Sequence, residues 1–217
     1  LIERYGVDSL RYYLVREIQF TTDGNFTPMQ FVDRLNADLA NNYGNLVNRT
    51  LSMINRYFEG VIPTADLYNP KSELTKKLLE DVKAKIVAYE AYMDKFDITG
   101  GIGAAMDLVD LGNKYFDAIA PWTQAKNGNM DLLSESLYAA SELIRIGSIL
   151  LCPAIPNKSK EALDQENVPE EMRTYESIST YNSLCSRHIN ELTALFPRLK
   201  KEEEVKFLTE LIDGPAK

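Results

Sequence analysis

Five asparagines fall within thirteen positions, Asn36, Asn41, Asn42, Asn45 and Asn48, and Arg49 follows at once. Asparagine is a mediocre helix former, so clustering it in a helix costs stability unless the amides are used. At about 100° per residue, Asn41, Asn45 and Arg49 share one ridge beside an apolar stripe. Amide donors and acceptors next to a planar guanidinium are the groups that read base edges. The only tryptophan, Trp122, follows Ala120-Pro121 at a helix break, where an indole can offer its face to an unpaired base. Stacking of that kind contributes roughly 1–3 kcal/mol per base. Lys126, four residues on, is the nearest cation and could meet a phosphate or a base carbonyl. Each group also has a plainer reading: asparagines that cap neighbouring helix ends, an arginine paired with a carboxylate on the next helix, and a tryptophan packed beneath a loop.

Other chemistry-bearing patterns give structural readings. Gly100-Gly101-Ile102-Gly103 lacks the Lys-Ser/Thr of a phosphate loop and follows no strand, so it reads as a helix start or a close-packing site. His188 has no convincing nucleophile beside it, and Cys185 three residues earlier makes only a local pair. The acidic run Glu202 to Glu204 suits the start of a helix, where it complements the dipole. No catalytic or metal-ligating set emerges: two cysteines and one histidine cannot supply four structural zinc ligands or a disulfide framework.

The elements that position these groups are helical. Strand signals are nearly absent and apolar residues recur every three or four positions, which predicts an all-α bundle of about five main helices. A short helix from Gly6 to Gln19 is expected to bury Val7, Leu10, Leu14 and Ile18, with a turn at TTDGNF. Thr27-Pro28 is a good helix start. The helix it opens runs to about Tyr57, with Phe31, Leu35, Leu39, Tyr43, Leu46, Thr50, Met53 and Tyr57 inward. After a breaker-rich loop comes a helix from Ser72, at its entrance with Lys71, to about Asp94, burying Leu74, Leu78, Val82, Ile86 and Tyr89. A third covers about 101–119 on Ile102, Met106, Val109 and Phe116 and stops before Pro121. A fourth covers about 131–151 on Leu133, Leu137, Leu143, Ile144 and Leu151. A short helix at 157–165, an irregular polar stretch from Gln165 to about Tyr181, and a last helix with Val205, Leu208 and Leu211 inward complete the chain.

With 24 basic and 32 acidic residues among 217, the formal charge is −8. That is the wrong sign for a protein gripping nucleic acid through non-specific phosphate contacts, so any RNA contact must be local and specific. Cysteine usage fits a reduced, cytoplasmic setting, and no apolar run is long enough to span a membrane. The chain begins at Leu1, inside an amphipathic pattern and without an initiator Met, so it reads as part of a longer protein.

Three segments together carry a resemblance: GVDSLRYYLVRE at 6–17, Asn45-Leu46-Val47-Asn48-Arg49 in the asparagine-rich helix, and Ala120-Pro121-Trp122. In this order they resemble the C-terminal anticodon-binding region of methionyl-tRNA synthetases, where an N-L-x-x-R element precedes an A-P-W element. TDGNF and LFPRLKKEEE extend the likeness over nearly the whole chain. It implies that 1–26 is the end of a stem-contact or linker region from the catalytic part and 27–217 the anticodon-binding bundle. It also implies that Asn45 and Arg49 contact the first anticodon base, a cytosine, and that Trp122 stacks on the anticodon, with Asn41 on the same ridge. The implied partners are the CAU anticodon loop of tRNA(Met) and an upstream catalytic domain of the same chain. Neither the HIGH nor the KMSKS signature is present and the zinc-knuckle cysteines are missing, so ATP and Mg belong to the parent enzyme and no cofactor is expected here. The alternatives are the helical domain of a leucyl, valyl, isoleucyl or cysteinyl synthetase, which shares G-x-D-x-L-R-Y, and a helical module that docks only a protein.

Overall fold

The computed structural model describes residues 1–18 and 24–214. Gln19 and the Thr21–Asp23 part of the expected turn lie outside the described residues. In chain order the helices are α1 (Ile2–Tyr5), α2 (Val7–Glu17), α3 (Pro28–Arg34), a wider π-helical stretch (Leu35–Gly44), α4 (Asn45–Phe58), α5 (Glu73–Met93), α6 (Ile98–Ile119), α7 (Pro121–Lys126), α8 (Met130–Leu151), α9 (Pro156–Gln165) and α10 (Lys201–Asp213). Two short 3₁₀ turns, Glu170–Met172 and Tyr175–Ser179, occupy the stretch expected to be irregular. Among the described residues the only β-pairing is an isolated bridge between Val61 and His188.

Local chemistry sets several starts. Thr27 Oγ1 accepts from Gln30 N at 3.3 Å with Pro28 at the first helical position, as its sequence predicts. Asp97 caps α6 by accepting from Gly100 N at 2.8 Å, so the glycine cluster opens a helix. Other starts are capped from a distance. Ser72 makes no side-chain cap; the Glu135 carboxylate of α8 receives Lys71 N at 2.8 Å and Ser72 N at 3.0 Å instead. Asp8 of α2 does the same for α9, accepting from Lys158 N at 2.7 Å and from Asn157 Nδ2 at 2.8 Å. Carboxylates at helix N-termini satisfy orphan amides and complement the dipole.

Helix α8 is the centre of the bundle, buried over almost its whole length against α4, α6 and α9. A helix buried on every side needs its polar groups paired internally. Arg145 and Glu142, both fully buried, are joined at 2.8 Å, Tyr138 donates to Glu142 at 2.7 Å, and Arg145 also donates to Met172 O, Ser177 Oγ, Ser177 O and Thr180 O. One arginine thereby ties the irregular 172–180 segment to the core.

Three expected core faces differ. In α2, Val7 and Leu14 are exposed, and Tyr12, Tyr13, Asp8 and Ser9 are buried. The tyrosines carry more apolar surface than the aliphatics they displace, and Asp8 must face α9 to cap it. Leu74 is exposed while Thr75 beside it is buried, donating to or accepting from Tyr115 Oη at 2.8 Å. Leu211 is exposed, whereas Leu208 of the same helix is buried.

Candidate nucleic-acid interface

Helices α4 and α6 run side by side and are joined by two rungs one turn apart. Asn45 Nδ2 donates to Asn113 Oδ1 at 3.0 Å, and Arg49 Nη2 donates to Asp117 Oδ1 at 2.9 Å. Gly112 lets the helices approach: a Cβ there would lie 2.7 Å from Leu46 Cδ2 and 3.2 Å from Leu143 Cδ2. Arg49 therefore sits at a fixed height on the bundle surface, with its guanidinium over two rings. Its Cζ is 5.0 Å from the Phe116 ring centroid and 5.6 Å from that of Trp122.

Trp122 owes its position to a sharp reversal. Ala120 adopts a left-handed backbone at φ 48° that ends α6, and Pro121 starts α7 immediately. Pro121 is buried while Trp122, next along, is 45 % exposed. Lys126 lies on the same short helix, exposed. An exposed aromatic ring and a partly exposed guanidinium thus adjoin, and the Lys126 ammonium belongs to the same short helix as the ring. The Asp117 carboxylate that holds Arg49 is 69 % exposed against 26 % for the arginine, so solvent screens the pair and a competing hydrogen-bond partner could displace it at small cost.

The single ridge expected for Asn41, Asn45 and Arg49 does not survive intact. Between Leu35 and Gly44 the helix is π-wound, each turn taking one more residue than an α-turn, so α-helical spacing from Asn41 to Asn45 no longer applies. Gly44 ends this stretch, and a Cβ on it would sit 3.0 Å from the Leu39 carbonyl oxygen. Asn41 instead lines a separate hollow with Asp33, Asn36, Arg198, Lys200 and Lys201. Asn42 joins the Asn45 side through Asn113, whose Nδ2 donates to Asn42 O at 3.0 Å and to Asn42 Oδ1 at 2.7 Å. Asn36 has the plain structural role: it donates to Leu199 O at 3.0 Å and accepts from Leu199 N at 2.8 Å, fastening the C-terminal segment.

Asn113 and Asp117 escaped the sequence reading, and Phe116 entered it only as a core residue. Their signal was there as an i, i+3, i+4 set on α6 that matches the Asn45 and Arg49 step on α4, but pairing it required knowing which helices are neighbours. Among the described residues no cluster of His, Cys, Asp and Glu could hold a metal ion, and no helix is long and apolar enough to cross a membrane.

Comparison with known families adds an independent line. A family model described as the anticodon binding domain of methionyl tRNA ligase matches residues 62–211. The chain belongs to this family. A second model, class I tRNA synthetases (M), matches residues 1–51, which contain Asn41, Asn45 and Arg49. The methionine–tRNA ligase of Bacillus subtilis is 37 % identical over 218 residues, covering all of this chain and 32 % of that protein. That of Listeria monocytogenes serotype 4b is 39 % identical over 221 residues, covering 33 % of its length. The chain thus spans about a third of the curated relatives it matches. Among solved structures, the free form of Mycobacterium tuberculosis methionyl-tRNA synthetase superimposes with a TM-score of 0.84 at 27 % identity, over 92 % of this chain and 40 % of that one. A match to the methionyl family sets aside the leucyl, valyl, isoleucyl and cysteinyl alternatives, and the all-α bundle expected from periodicity is the anticodon-binding fold of methionyl-tRNA synthetases.

Proposed function

We propose that this chain identifies the CAU anticodon of tRNA(Met), so that the parent enzyme, a cytoplasmic methionine–tRNA ligase, attaches methionine to the correct tRNA in an ATP-dependent reaction. The observation that carries the proposal is the Arg49 guanidinium 5.6 Å from a half-exposed Trp122 ring. That separation lets one base stack on the indole while its edge meets the guanidinium. Asn45, one turn from Arg49 on the same helix, would contribute a second edge contact. Lys126 would meet a phosphate or base carbonyl of the loop, and Asn41, in its own hollow with Lys200 and Lys201, would act further along the RNA.

Residues 1–26 would continue from the catalytic domain, which supplies the ATP and Mg site of the parent, and 27–217 would form the reading domain. Asp8, Arg11 and Thr99 make the physical link: Asp8 caps α9, Arg11 Nη2 donates to Pro153 O at 2.8 Å, and Thr99 Oγ1 donates to Val15 O at 2.9 Å. The rival reading, a module that docks only proteins, draws on the Arg49–Asp117 pair; the exposure of Trp122 beside Lys126 favours RNA. The test is aminoacylation by the intact ligase carrying Trp122→Ala or Arg49→Ala. The proposal requires kcat/KM to fall for tRNA(Met) and the preference for CAU over a substituted first anticodon base to shrink. An undiminished preference in both variants would remove it.

A further inference from the structure

The polarity of the Asn45 amide is decided away from the surface. An amide can present either its oxygen or its nitrogen, and only the surrounding bonds say which. The fixed point is the main-chain carbonyl of Asn42, which can only accept. It lies at the seam where the π-helical stretch gives way to α4, and there it accepts from Asn45 N. Its second lone pair receives Asn113 Nδ2 at 3.0 Å, and the other hydrogen of that amide goes to Asn42 Oδ1 at 2.7 Å. With its nitrogen so committed, Asn113 turns its oxygen to Asn45 and can only accept, so Asn45 must offer Nδ2, at 3.0 Å. Asn45 Oδ1 is the end left over, and among the described residues nothing donates to it.

We propose that Asn113 is the positioning residue for base selection: it locks Asn45 with the oxygen outward, and this polarity selects cytosine over uracil. The inference rests on the anticodon-reading proposal and specifies it. Cytosine presents an exocyclic amino donor where uracil presents a carbonyl acceptor. An outward amide oxygen accepts from the cytosine amino group, while the guanidinium one turn away donates to the acceptors on the rest of its edge. Against uracil the same oxygen faces another oxygen, and a site built for a donor rejects a base that lacks it. Asn113 need not touch RNA for this. The π-helical seam has a role as well, because it brings the Asn42 carbonyl within reach of Asn113 and so sets the direction of the whole chain of amides.

The test uses the intact ligase and two anticodon stem-loop RNAs that differ only in cytosine or uracil at the first anticodon position. Asn113→Ala frees the Asn45 amide to rotate, and the cytosine-to-uracil ratio of Kd values is expected to shrink about tenfold or more. Asn113→Asp loses the donor to the Asn42 carbonyl, which lowers total affinity or melting temperature, but still accepts from Asn45 Nδ2, so it is expected to keep the parental ratio within about threefold. A preserved ratio in Asn113→Ala, with the ratio lost in Asn45→Ala, overturns the positioning role while the anticodon reading stands. Equal loss in the Ala and Asp variants also overturns it, because a merely structural position would behave in that way. Unchanged RNA binding by Trp122→Ala and Arg49→Ala would overturn the reading itself.

Discussion

Replacing Arg49 by lysine separates recognition from scaffolding, because the substitution keeps the charge and removes the planar fork. In the fold, the guanidinium contributes one ion pair to Asp117 at 2.9 Å, with the two side chains 26 % and 69 % exposed, and contacts with the Phe116 and Trp122 rings. A screened pair of this kind contributes about 0–1 kcal/mol, an exposed cation–π contact about 0.5–1 kcal/mol, and lysine retains part of each. The expected loss of stability is therefore below about 1 kcal/mol, a few degrees at most in the melting temperature of a domain this size. Recognition depends on more. A charged donor aligned on a base edge contributes about 1.5–3 kcal/mol, and an ammonium cannot reproduce two parallel N–H groups. Affinity for a CAU stem-loop is thus expected to fall by roughly 10- to 100-fold, measured by titration of the intact ligase alongside a thermal melt. Binding within about threefold of the parent would show that charge alone suffices there. A melting temperature that collapses in step with affinity would show that Arg49 is a scaffold residue.

Two further substitutions probe the bundle, one in its core and one beside the site. Glu166 is fully buried and neither carboxylate oxygen has a partner; burial, aided by the nearby Glu142, pushes its pKa well above the usual 4.5, against the opposing influence of Ser141 and Arg145. A carboxyl whose pKa is raised on folding stabilises the fold only while protonated, so its contribution is complete below the unfolded value and is lost as pH rises above it, by up to about 1.4 kcal/mol per pH unit. Glu166→Gln is expected to be more stable than the parent at pH 7, with an advantage that shrinks toward pH 4.5; denaturant unfolding at pH 5 and pH 7 giving the same difference would refute this. Gly112→Ala places a methyl group 2.7 Å from Leu46 Cδ2. Overpacking of this kind costs about 1–3 kcal/mol, so the melt should shift downward and, with α4 and α6 pushed apart, the cytosine preference should weaken; a parental melt would mean that Leu46 repacks freely.

The parts of this molecule legible in its sequence are those set by near neighbours in the chain. Thr27-Pro28 and Pro121 mark helix boundaries because capping and ring closure act within a turn, whereas a shared role for Arg49 and Trp122, far apart in the chain, was implied only by the family resemblance of the N-L-x-x-R and A-P-W elements, and the fold supplies their adjacency. What stayed hidden depends on distant partners. Glu135 and Asp8 cap helices 63 and 150 residues away, so Ser72 looked like the cap it is not. Periodicity also assumes a constant turn, and the π-helical stretch from Leu35 to Gly44 breaks that assumption. It moves Asn41 away from the ridge and brings in Asn42 and Asn113, the two amides that set the direction of Asn45.

Trp122 is the only tryptophan of the 217 residues, so its emission reports directly on the surface where the base is proposed to stack. A CAU stem-loop is expected to quench that emission saturably, and the same hairpin with an abasic first anticodon position is expected to leave it nearly unchanged at equal concentration. Equal quenching by both hairpins, or none by either, would contradict the claim that Trp122 and Arg49 hold the first anticodon base.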